Sequence, residues 1–264
     1  MGISYKLRAV NATRYVTPLR EGGSLPAIME ADDGFMYVVK FRGAGQGVKS
    51  LIAEIIGGGL AKALDIKIPE LVFVTLDESF GRTEADEEIQ DLLKASTGLN
   101  LGMHYLNGAL TFDPLITEAD ELTASKIVWL DNLITNVDRT ARNTNMLLWK
   151  EELWLIDHGA SLYFHHSWDN HVAQAEKPFA QLKDHVLLAK ATQLEAVNKE
   201  FSIRINKEII TEIVNQIPEE WLLIDAPFET TTQHRQAYID FLTARLAISS
   251  TLTNHAIHAR ASVI

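Results

Sequence analysis

The chain has 264 residues, 47% of them hydrophobic, with 35 acidic against 24 basic side chains and a formal net charge of −11. That length and apolar content support a large core in one domain or two lobes. The acidic balance disfavours direct nucleic-acid binding, which draws on Lys and Arg, and the absence of cysteine excludes disulfides and thiolate metal sites.

The N-terminal MGISYKLRAV has no long apolar run, and Lys6 stands where a myristoylation motif needs Ser or Thr. The expectation is a soluble, cytoplasmic protein with no membrane association. Arg14–Val16 and Ala27–Glu30 read as strands around Gly22-Gly23-Ser24, first of all a hairpin turn, whose glycines would also let backbone N–H groups approach phosphate oxygens. A third strand, rich in aromatic and β-branched residues, ends near Lys40. From Val48 to Leu64 apolar residues recur at helical spacing, and this helix carries Glu54 as the natural counter-ion of Lys40. Its Gly57-Gly58-Gly59 run costs about 1 kcal/mol per glycine relative to alanine, which argues for close packing or a bend.

An acidic stretch at 83–88 leads into a short helix at 89–94, and the glycine-dotted segment 97–108 reads as a connector. Residues 118–135 form a long apolar-faced helix that delivers the chain to the polar loop Asp138-Arg139-Thr140-Ala141-Arg142-Asn143. Two apolar runs, 146–149 and 153–156, fold about Lys150-Glu151-Glu152 as a hairpin, which returns Asp157 of Asp157-His158-Gly159 towards Asn143. Beyond His171 helices are expected at 179–192, 207–216 and 231–255. His165, His166 and His171 match no strong metal-ligand spacing.

Asp138, Asn143 and Asp157 stand in the order of a kinase signature, in which an Asp and an Asn lie five residues apart ahead of an Asp-x-Gly. Magnesium takes a few hard oxygen ligands and completes its shell with water and phosphate oxygens, so Asn143 and Asp157 suffice as its protein ligands. Asp138 is then available as the catalytic base, and Lys40 takes the place of the phosphate-orienting lysine.

Gly-Gly-Ser-x-Pro, the strand ending Val-Val-Lys-Phe, the Glu54 helix, Ile66-Lys67-Ile68-Pro69-Glu70, Asn-x-Asp-Arg-x-x-x-Asn-x-Asn and Ile-Asp-His-Gly-Ala-Ser-Leu together resemble the HipA-like kinases, bacterial serine/threonine kinases. The resemblance covers roughly residues 20–165. It implies an α+β, bilobal protein-kinase-like fold, with a strand-rich N-lobe over 1–107 and a mainly helical C-lobe over 108–264. It implies ATP and Mg2+ as cofactors, Asp138 and Lys40 as catalytic residues, and Asn143 and Asp157 as magnesium ligands. Lys40, Glu54, Gly22, Gly23, Ser24, Asn143 and Asp157 surround the nucleotide on this pattern. Ser24 is the matching candidate for autophosphorylation. The chain is much shorter than full-length HipA and lacks an equivalent of its extra N-terminal subdomain, so toxin activity does not follow. The acceptor is a protein hydroxyl on this reading, with a small-molecule kinase or a nucleotide-binding pseudokinase on the same scaffold as alternatives.

Overall fold

The structure is a computed structural model that describes residues 6–20, 25–83, 85–168, 170–224 and 227–263. The fold is α+β, strand-rich in its first part and helical in its second. Two compact units divide it, one of residues 6–52 and 69–108, the other of 53–68 and 109–264 within the described chain.

The first unit is built on a closed five-stranded barrel in the order β1-β2-β3-β5-β4. Its strands are β1 (Arg8–Pro18), β2 (Ala27–Ala31), β3 (Met36–Lys40), β4 (Leu71–Leu76) and β5 (Gly98–His104). All neighbours are antiparallel except β1 and β4, which close the barrel in parallel. Val10, Met29, Tyr37, Val39, Val72 and Val74 fill the core, joined by Ile89 and Leu93 of a helix. Between β3 and β4 runs α1 (Gly47–Ala63), whose residues from Ala53 onward belong to the second unit. The short α2 (Phe80–Thr83) and α3 (Glu87–Ala95) follow β4. The Asp86 carboxylate caps α3 by accepting from the N–H groups of Glu88 and Ile89.

Residues 97–108 are not the connector that their glycines indicated. They carry β5, paired to both β3 and β4. A Cβ on Gly102 would stand 2.6 Å from Cγ2 of Val74, so glycine is what allows the strand to pass there. Buried Asn100 accepts from the Arg42 N–H at 2.9 Å and donates to the carbonyls of Ser96 and Gly98.

In the second unit β6 (Leu110–Thr111) joins the hairpin of β7 (Met146–Trp149) and β8 (Glu152–Leu155) in a three-stranded antiparallel sheet. The other elements are α4 (Glu121–Ile134), α5 (His171–Ala175), α6 (Leu194–Arg204), α7 (Lys207–Val214), α8 (Glu219–Leu222), α9 (Thr231–Ala247) and α10 (Ser249–Ala261). Two helical expectations need correction. Residues 179–192 form only 3-10 turns, at Ala180–Asp184 and Leu188–Lys190, because the backbone between them turns to the polar loop, where the Val186 N–H donates to the Arg139 carbonyl and His185 bridges to Thr140. The stretch 231–255 is two helices that break at Ile248, where φ is −105° and ψ 19°.

Candidate active site

At the end of α4 Thr135 turns left-handed, with φ 54° and ψ 50°, and releases the chain into the polar loop. Asp131, fully buried on the last turn of α4, organises that loop. Its Oδ1 accepts from Asn136 Nδ2 at 3.1 Å, and its Oδ2 accepts from Arg139 Nε at 2.5 Å and His185 Nε2 at 3.0 Å. The Leu187 N–H donates to His185 Nδ1 at 3.0 Å, which places the imidazole proton on Nε2, facing Asp131. Burial works to raise the Asp131 pKa, but the Arg139 guanidinium and His185 outweigh it and hold the carboxyl well below the usual carboxylate range. Nη1 of Arg139 continues to the carbonyls of Asn145 and Ile156. A single buried ion pair therefore ties α4, the end of the loop and the residue before Asp157 together.

The loop that this pair anchors presents Asp138, half-buried, beside two amides. Asp138 Oδ2 accepts from Asn143 Nδ2 at 2.7 Å and Asn145 Nδ2 at 3.3 Å, while the Asp138 N–H donates to Asn136 Oδ1 at 3.1 Å. With their nitrogens on Asp138, both asparagines have their carbonyl oxygens left as hard-oxygen ligand atoms. The Thr140 N–H closes the loop on the Asn143 carbonyl at 3.0 Å.

Asp157 comes after β8 in the left-handed region, with φ 54°, and its Oδ1 accepts from the Gly159 N–H at 3.2 Å. The Asn145 carbonyl accepts from the Ile156 N–H at 3.0 Å, so the loop and the Asp-His-Gly turn are fastened at adjacent residues. Glu54 of α1 holds the turn from the other side. Its Oε2 accepts from the His158 N–H at 2.9 Å, and its Oε1 lies 3.2 Å from His158 Nδ1. A Cβ on Gly57 would meet Cβ of His158 at 2.6 Å, which gives the first glycine of the run its close-packing role.

The structure thus brings Asp138 and Asn143 into direct contact and places Glu54 and Asp157 in the same compact unit. Lys40 closes β3 in the barrel unit, opposite Leu101 of β5. Gly22, Gly23 and Ser24 lie outside the described residues. His165 and His171 join Phe164, Trp168 and Tyr238 in an aromatic cluster, with His165 Nδ1 3.1 Å from the Tyr238 hydroxyl. Among the described residues no group of three or more His, Asp or Glu side chains is placed to hold a metal.

Two participants escape sequence reasoning, Asp131 and His185, while Arg139 and Asn145 stand in the quoted motif without an assigned role. Asp131 left a faint signal, as an acid between Leu130 and Leu133 on an otherwise apolar helix. His185 left none, since 54 residues separate it from its partner.

A family model described as HipA-like kinase matches residues 13–251 of the chain. No curated protein matches it. Among solved structures, the proinflammatory kinase CtkA of Helicobacter pylori is 13% identical, over 95% of this chain and 98% of that one, with a TM-score of 0.46. The Golgi casein kinase with Mn/ADP bound is 10% identical over 94% of this chain and 73% of that one, with a TM-score of 0.49. A second structure of the Golgi casein kinase, also 10% identical, covers 97% of this chain and 73% of that one at a TM-score of 0.50 and shows a shared fold.

Proposed function

Because the chain belongs to the HipA-like kinase family and is a kinase-type phosphotransferase, we propose that it moves the γ-phosphate of Mg-ATP to a serine or threonine hydroxyl of a protein. On this reading the barrel unit serves as the N-lobe and the helical unit as the C-lobe of a bilobal kinase. The proposed lobes run over 1–107 and 108–264, while the compact units divide α1, whose residues from Ala53 onward, Glu54 included, belong to the helical unit.

The observation that carries the proposal is the environment of Asp138. Two amide donors hold its Oδ2, which fixes the carboxylate plane and leaves Oδ1 to accept the proton of an incoming hydroxyl. A carboxylate held in this way acts as a base without the entropic cost of being positioned at the moment of reaction. The donor set fits magnesium: the Asn143 carbonyl oxygen and the Asp157 carboxylate are hard ligands of the kind this ion selects. When bound, the ion supplies charge neutralisation on the transferring phosphoryl group. Glu54 and Gly57 keep the Asp157 turn in place through His158. Lys40 is the proposed cation for the nucleotide phosphates, and Gly22, Gly23 and Ser24 the loop that covers them, with Ser24 as a site of autophosphorylation that would repel the triphosphate.

Incubation with γ-labelled ATP and magnesium, alone and with cell extract, tests the reading through transfer of label to protein. In Asp138→Asn, nucleotide affinity is expected to persist while transfer falls about 10²–10⁴-fold, the usual loss for a positioned base. Wild-type turnover in that variant overturns the assignment of Asp138, and label found only on small molecules overturns the protein acceptor.

A further inference from the structure

Arg245 of α9 is a buried cation with no carboxylate beside it among the described residues. Its Nε donates to the Leu133 carbonyl, Nη1 to those of Ala175 and Lys177, and Nη2 to that of Asn132. Four of its five N–H groups are thereby committed, all to neutral acceptors. It is buried to 1% exposure, and that burial lowers its pKa to about 10.

Arg245 lines a cavity of about 340 Å³ together with Thr135, Asn170, Gln174, Lys177 and Gln181. At ~30 Å³ per water molecule, that space holds a carboxylate or phosphate with its first waters. None of the described lining residues is acidic, although the chain carries 35 acids against 24 bases. The lining offers two cations, three amides and a hydroxyl. Thr135 is three residues from Asp138, so their Cα atoms lie no more than about 11 Å apart at 3.80 Å per trans peptide.

We propose that this cavity receives an anionic side chain, aspartate, glutamate or a phosphorylated residue, of the polypeptide whose hydroxyl Asp138 deprotonates. The inference rests on the phosphotransferase reading for its placement beside the acceptor. An anion there pairs with Arg245, which has no acidic partner among the described residues, with Lys177 at the rim and the amides as donors. It gives the protein a preference for hydroxyls in acidic surroundings.

The test uses labelled peptides that share one glycine-alanine-serine background and differ only in flanks of aspartate, phosphoserine or lysine. Fluorescence anisotropy measures their binding to the wild type, to Lys177→Glu and to Gln181→Glu, both changes at exposed positions, with inorganic phosphate as competitor. Aspartate and phosphoserine peptides are expected to bind the wild type roughly tenfold or more tightly than the lysine peptide, as for one charge-assisted contact. Both variants should erase the preference, and phosphate should compete. Equal binding of aspartate and lysine peptides, or a preference unchanged in both variants, overturns the proposal. So does phosphate binding without any peptide preference, which would mark a site for the free ion. ATP hydrolysis in the same samples separates the two readings: a charge preference without any ATP turnover supports the cavity and overturns the phosphotransferase premise.

Discussion

Asp131 shows how far one residue governs this site. Among the described residues its carboxylate is the sole acid facing the buried Arg139 guanidinium, whose other bonds go to main-chain carbonyls. Asp131→Asn should therefore cost about 3–5 kcal/mol in urea unfolding, because it leaves a buried cation without its partner. A change below about 1 kcal/mol would show that the backbone carbonyls alone suffice. The same pair sets a pH dependence. Asp131 titrates lower in the folded protein than in the unfolded chain, so its contribution is complete above the unfolded value of ~3.9. It is lost as pH falls from there through the folded value. Asp131→Asn should accordingly flatten the acid limb of stability against pH, and an unchanged acid limb would contradict this origin.

At the scale of elements, the β7–β8 hairpin is the piece that positions Asp157, and its turn is strained. Lys150 and Glu151 sit at φ 50° and 64°, as in a type I′ turn that favours Asn-Gly. Left-handed backbone costs an L-residue about 1–2 kcal/mol. The Lys150 ammonium recovers part of this by lying 4.2 Å above the Trp149 ring, an exposed contact of about 0.5–1 kcal/mol. The double change Lys150→Asn and Glu151→Gly is expected to stabilise the protein by about 1 kcal/mol, seen as a rise of roughly 2–4 °C in Tm, and a fall in Tm would refute the turn assignment. The hairpin is readable from the sequence because two apolar runs flank a polar turn, a purely local pattern. β5 is not, since Gly98 and Gly102 resemble loop residues until their neighbours in the barrel are known. The segment at 179–192 misleads for the same reason: Leu182, Leu187 and Leu188 are buried, yet the backbone there pairs with Arg139 and Thr140 of the polar loop and does not follow helical propensity.

For the whole molecule, ligand linkage offers the broadest check. A nucleotide that binds only the native state stabilises it by ~2.7 kcal/mol at 100 times its Kd, so saturating Mg-ATP should raise Tm by several degrees. Asp157→Ala should remove the magnesium-dependent part of that rise, and no shift with any nucleotide would sink the kinase reading. The polar loop, the hairpin, the Lys40 strand and the Glu54 helix were determined by sequence alone, because each depends on spacing and turn chemistry within about twenty residues. The family follows from those same motifs. Tertiary structure alone decided that five strands close into a barrel, that Asp131 and His185 share Arg139's loop, and that Glu54 grips His158 across 104 residues. Such contacts join residues whose separation along the chain carries no pattern, and only the packed core selects which polar groups are buried together.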